Sequence, residues 1–93
     1  MIRSFADPVT GRLWRRESVK RIDPRILRVA LRKLVMIDAA VAIDDLRAPP
    51  GNRLEQLRGD RIGQHSIRIN DQWRICFRWT DGGAEDVEII DYH

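Results

Sequence analysis

The sequence closes on Asp91-Tyr92-His93, three consecutive side chains that can hold or move a proton. Histidine titrates near neutral pH and suits general acid or base work. Upstream, "SIRINDQWRICFRW" places Arg68, Arg74 and Arg78 on one alternation, and Ile67, Ile69, Trp73, Ile75, Phe77 and Trp79 on the other. A guanidinium fork neutralises the charge that builds on a pentavalent phosphate, through paired hydrogen bonds. Acid–base groups beside such forks suffice for RNA cleavage by in-line attack of a 2′-hydroxyl, without a metal. A histidine in this position also reads as a frayed end, so the triplet alone leaves the chemistry open.

Other chemistries find less support. The histidines are His65 and His93, with no Cys-pair or His-pair spacing to make a metal site. Gly82-Gly83 falls in a hairpin turn, and no glycine-rich strand-to-helix loop is present to cradle a cofactor. No metal and no cofactor are expected. Cys76 shares the parity of Arg74 and Arg78, neighbours that lower a thiol pKa, but it has no base beside it. An inert thiol is expected. A single cysteine excludes an internal disulfide and fits a reducing compartment.

Charge is segregated along the 93 residues. Residues 11–33 hold nine Arg/Lys and two acids, while residues 81–93 hold five acids and no Arg or Lys. A basic front and an acidic tail point to a polyanion on one surface and a different partner on another. Fifteen of the seventeen bases are Arg, a ratio that phosphate binding and a GC-rich coding sequence both produce. The opening "MIRSFADPVTG" has no apolar leader and no run reaches membrane-span length, so a cytoplasmic protein without a membrane partner is expected.

The elements that must position these groups follow from the pattern. "MIRSF" predicts a first strand through Ile2 and Phe5. Asp7-Pro8 starts a helix over Leu13 and Trp14 that fades near Ser18, and Asp23-Pro24 starts a second. In the second, Leu27, Ala30, Leu31, Leu34 and Ile37 recur at helical spacing to about Ala40, with Arg25, Arg28, Arg32 and Lys33 opposite. Residues 41–53 read as an irregular connection. Strands follow in "LEQLR", "HSIRI", "QWRICFRW" and "DVEIIDY", separated by turns at Gly59-Asp60, Asn70-Asp71 and Asp81-Gly82-Gly83. The prediction is a single α+β domain over residues 1–93, ordered β-α-α-β-β-β-β. Two helices pack on one face of a largely antiparallel sheet. The arginine parity then lies on the open face, its repulsion relieved by an anion or by Glu88 and Asp86 on the next strand.

The run "NRLEQLRGDRIGQHSIRINDQWRICFRW" with the closing "DVEIIDYH" resembles the HigB toxins, a branch of the RelE superfamily of bacterial type II toxin–antitoxin systems. "MIRSFADPVTGRLW" and "LRAPPGNRLEQL" agree with it, so the resemblance spans the chain. It implies a RelE-like fold and a ribosome-dependent mRNA endoribonuclease (an mRNA interferase) that cuts translated mRNA in the A site and inhibits translation. It implies 2′-hydroxyl attack without metal or cofactor, and a helix-turn-helix antitoxin, HigA, that carries the pair to operator DNA. The family pattern falls on Asp91, Tyr92, His93 and Arg74, and on Arg58, where relatives often have Lys. His93 would transfer protons, Tyr92 stack or orient the nucleotide, Asp91 fix the imidazole tautomer, and Arg74 and Arg58 stabilise the phosphorane. Two positions depart: Glu55 stands where some members carry a catalytic His, and Asn70 where some carry Arg. Glu55 reads equally as a base and as an ion-pair partner of Arg58 or Arg53. Arg53, Arg61, Arg68 and Arg78, with Arg12, Arg15, Arg16, Arg28, Arg32 and Lys33 of the basic front, are the expected contacts to RNA and ribosome. Two alternatives stay open: gyrase inhibition by protein contact, as in ParE-type toxins of this fold, and a non-catalytic RNA-binding module.

Overall fold

Both Asp-Pro pairs start helices. The computed structural model describes residues 1–91, so Tyr92 and His93 lie outside the described residues. Helix α1 spans Pro8–Trp14, and Asp7 caps it by accepting from the Thr10 amide at 3.1 Å and the Thr10 hydroxyl at 2.6 Å. The same hydroxyl accepts from the Ile89 amide at 3.1 Å, tying the helix start to the last strand. The helix stops at Trp14 rather than fading near Ser18. Arg16 turns left-handed at φ 61° and folds its guanidinium over the Trp14 ring, 5.3 Å from the centroid. Asp23 opens a 3-10 turn, Pro24–Ile26, which runs into α2, Leu27–Ala39.

The sheet has four antiparallel strands in sequence order: β1 Glu55–Gln56, β2 His65–Arg68, β3 Trp73–Thr80 and β4 Gly83–Asp91. Ala30, Leu34 and Ile37 of α2 meet Ile67, Ile75, Phe77 and Val87 in one core, all fully buried. Burying such side chains contributes about 1.5–3 kcal/mol for each large one, which fixes the apolar parity inward. Trp73 and Trp79 lie at its margins, half-buried.

Local chemistry reshaped several predicted elements. The first strand is reduced to two parallel bridges, Ile2 to Ala84 and Phe5 to Val87. Between them β4 bulges: Cys76 pairs with Glu88 but Arg78 with Glu85, and Asp86 sits at φ 53° with its amide on the Ser4 hydroxyl at 2.9 Å. A bulge bends its strand and interrupts the ladder a longer partner needs. The β2–β3 turn covers Ile69–Gln72, two residues more than expected, and the Asn70 carboxamide holds it by accepting from the Gln72 and Trp73 amides at 2.9 and 2.8 Å. The connection contains two 3-10 turns, Ile43–Arg47 and Pro50–Asn52.

Lys33 is the clearest correction. It is only 6% exposed and donates its ammonium to the Asn52 side-chain oxygen. Asn52 is itself fully buried and donates to the Leu46 and Ala48 carbonyls at 3.2 and 3.3 Å. A buried carboxamide needs partners at both ends, and Lys33, beside Leu34 on the inner side of α2, supplies one. Burial, then Arg32 and Arg68, lowers the Lys33 pKa. No helix of the described residues is long and apolar enough to cross a membrane.

Candidate active site

On the sheet face away from the helices, Glu55, Ser66, Cys76 and Glu88 stand opposite one another across all four strands. Arg74 flanks this row on β3, opposite Arg68 on β2 and Ile90 on β4. It does not project into solvent as its parity predicted; it is 8% exposed. Its Nε donates to the Ser66 hydroxyl at 2.8 Å, its Nη2 donates to the Arg53 carbonyl at 2.7 Å, and Glu55 lies 3.7 Å from the same Nη2. The loop leading into β1, the β1 residue Glu55 and the wall of β2 supply these acceptors, so the guanidinium lies against the sheet rather than away from it.

Arg61, at the end of the 3-10 turn Gly59–Arg61, donates to Glu88 at 2.9 Å and to the Gln64 side chain at 3.1 Å. Arg61, Glu88, Arg74 and Glu55 surround Cys76, which is fully buried. Burial pushes the Cys76 thiol up, Glu88 and Glu55 act in the same direction, and Arg61 and Arg74 oppose them. A buried, protonated thiol is a poor nucleophile.

The face is therefore a lattice of paired charges. Arg78 meets Asp86 at 3.5 Å, and Arg68 pairs with Asp71. Glu88 and Asp86 both relieve the arginines, Glu88 through Arg61. Glu55, about half-exposed, pairs with Arg74 and not with Arg58 or Arg53. Arg58 is exposed at the cap of the 3-10 turn, and Arg53 contributes its backbone carbonyl while its side chain is exposed. Asp91 stands opposite Trp73, and Gln72 donates to its carboxylate at 2.9 Å. Ile90 is thus the residue that shares the parity of Arg74. The candidates Tyr92 and His93 fall outside the described residues.

The basic front is smaller than its composition. Arg12, Arg28 and Arg32 are exposed. Arg15 pairs with Glu17 at 2.7 Å, Arg16 covers Trp14, and Lys33 is buried. Arg12, Lys20 and Arg21 line a cleft of about 490 Å³ together with Pro8, Val9, Ser18 and Val19.

The family model described as the RelE-like toxin of the type II toxin–antitoxin system HigB matches residues 3–93. The chain belongs to this HigB-like toxin family. Toxin HigB-1 of Vibrio cholerae is 44% identical over 85 residues, which cover 90% of this chain and 90% of that protein. Endoribonuclease HigB of Proteus vulgaris is 38% identical over 61 residues, covering 66% and 65%. The α+β fold also matches YoeB in the YoeB–YefM complex from Staphylococcus aureus. There the TM-score is 0.62 at 16% identity, covering 100% of this chain and 98% of that one. The YoeB dimer from the same organism gives 0.59 at 17%, covering 99% and 97%. At such identities the likeness speaks to fold alone.

In this HigB-like toxin, reasoning from sequence missed Ser66, Gln64 and the Arg53 carbonyl. Ser66 left one signal: it is the small polar residue of "HSIR" on the arginine parity. The Arg53 carbonyl left none, because an Arg at φ 45° is not a turn residue that composition reveals.

Proposed function

We propose that this toxin is a ribosome-dependent endoribonuclease that cuts translated mRNA in the A site and so inhibits translation, with neither metal nor cofactor. Membership of the HigB-like family supports the nuclease, and the observation that carries it is Arg74, held at two edges on the open face beside Glu55. In the reaction the 2′-oxygen bonds to the neighbouring phosphorus as the P–O5′ bond breaks. A base takes the 2′-hydroxyl proton and an acid returns one to O5′, leaving a cyclic phosphate and a free 5′-hydroxyl. His93 is assigned the proton transfers, Tyr92 the nucleotide, and Asp91 the imidazole tautomer. Arg74 and Arg58 stabilise the phosphorane, where a preorganised donor is worth about 3–4 kcal/mol. Glu55, beside Arg74, is a second base or a place-holder that the substrate phosphate displaces. Arg53, Arg61, Arg68 and Arg78 track the RNA backbone, and Arg12, Arg15, Arg16, Arg28 and Arg32 meet ribosomal RNA. The work is cytoplasmic, where ribosomes are, and a HigA-type helix-turn-helix antitoxin holds the toxin in a hetero-oligomer.

Ribosomes programmed with a defined mRNA test this reading through the product ends. A 5′-hydroxyl and a 2′,3′-cyclic phosphate are expected, with no cut in the same RNA free of ribosomes. A 5′-phosphate with a 3′-hydroxyl contradicts 2′-hydroxyl attack, and equal cutting of free RNA contradicts ribosome dependence.

A further inference from the structure

We infer that Ser66 and the backbone carbonyl of Arg53 are positioning groups that aim the Arg74 guanidinium at the scissile phosphate, an inference that rests on Arg74 being a transition-state ligand. Ser66 is fully buried on β2, between Glu55 and Cys76 in the cross-strand row. Its hydroxyl accepts from Arg74 Nε at 2.8 Å, and the Arg53 carbonyl accepts from Nη2 at 2.7 Å. A planar fork held at two edges by acceptors from different elements loses its freedom to swing and tilt. That fixes its orientation before the substrate arrives, which is the condition under which a donor helps a developing charge most. Both acceptors are neutral, so they orient the group without cancelling its charge. Glu55 is a looser contact at 3.7 Å on a half-exposed side chain.

The carbonyl arm is anchored in the interior. Arg53 follows the buried Asn52, and a left-handed backbone, φ 45° and ψ 57°, turns its carbonyl toward β3. Asn52 is locked by the Lys33 ammonium on its oxygen and by the Leu46 and Ala48 carbonyls on its amide. The buried lysine of α2 thereby supports the loop whose next carbonyl holds Arg74. A lysine in a helix interior facing a carboxamide, a left-handed arginine after it and a buried serine on the basic parity have one geometric consequence in common, the placement of one guanidinium.

Single-turnover cleavage on programmed ribosomes tests this, with thermal melts run on every variant. Ser66→Ala is expected to lower the saturating rate about 10-fold, less than the roughly 100-fold that a 1 Å misplacement can cost, with the half-saturating toxin concentration unchanged. Ser66→Cys, which keeps the volume and offers a weaker acceptor, is expected between wild type and Ser66→Ala. In an Arg74→Lys background, which keeps the charge but loses the Nε donor and the fork, Ser66→Ala is expected to cost no more than about twofold. Equal fold-losses in both backgrounds, a full rate in Ser66→Ala, or a rise in half-saturation alone overturns the positioning role while leaving the nuclease intact. An Arg74→Lys toxin that cleaves as well as wild type overturns the reading of Arg74 and the inference with it. No cleavage by wild type overturns the nuclease reading and both below it.

Discussion

Cys76 and His65 show how burial decides chemistry that residue type leaves open. Cys76 has the arginine neighbours of a reactive thiol, yet full burial raises its pKa. Ellman's reagent is expected to label the native protein far more slowly than the urea-unfolded protein, and Cys76→Ser to cleave RNA normally; rapid native labelling would contradict the inert assignment. His65 stacks on Phe77 at 6.3 Å, and its Nδ1 is buried with no hydrogen-bond partner among the described residues. Burial, then the nearby Arg47 charge, lowers its pKa below the ordinary 6.5. The unfolded chain therefore binds the proton more tightly than the folded one. This contribution to stability is fully present above the ordinary value and is lost as pH falls from there through the folded-state value. Urea midpoints are expected to drop between about pH 7 and pH 5, a window where few other side chains titrate, and His65→Phe is expected to flatten the drop. An unchanged slope in the variant would place the effect elsewhere. At this scale the sequence exposed which groups could titrate, but not their surroundings. The roles of Ser66, despite its place on the arginine parity, and of Lys33 were hidden for the same reason: they depend on cross-strand register and on a loop folding back over α2.

Elements were more legible than residues, because helix starts and strand parity are local properties. Asp7-Pro8 and Asp23-Pro24 gave both helix starts, and Ile67, Ile75 and Phe77 sit buried on the parity their alternation required. Boundaries moved where one side chain captured the backbone, as Asn70 did in its turn and as Arg16, donating to the Trp14 carbonyl at 2.6 Å, did at the end of α1. Asp7 carries more than its own helix, since the hydroxyl it accepts from also binds the Ile89 amide on β4. Asp7→Ala is expected to cost about 1 kcal/mol in urea denaturation, and Asp7→Asn much less. Equal losses from both would mean that the carboxylate charge, not the cap geometry, is what matters.

The whole molecule separates two surfaces, a lattice of paired charges on the open sheet face and a basic helical front. The segregation was legible in the linear charge pattern, whereas the pairing was not, because Arg61 reaches Glu88 and Arg74 reaches Glu55 only through tertiary folding. Unpaired cations should dominate attraction to ribosomal RNA, since a cation already paired releases fewer counterions on binding. Reversing Arg12, Arg28 and Arg32 to Glu together is expected to weaken ribosome binding and flatten its salt dependence while the saturating cleavage rate holds. An unchanged salt slope would remove the front from the interface. The central claim, that the toxin cuts translated mRNA with its C-terminal residues, meets its most direct test in primer extension. Wild type and a His93 deletion would be induced briefly in cells lacking the antitoxin. Discrete new 5′ ends inside translated frames that vanish with the deletion are the predicted result. Intact mRNA beside growth arrest by the wild type would contradict the nuclease and turn attention to gyrase.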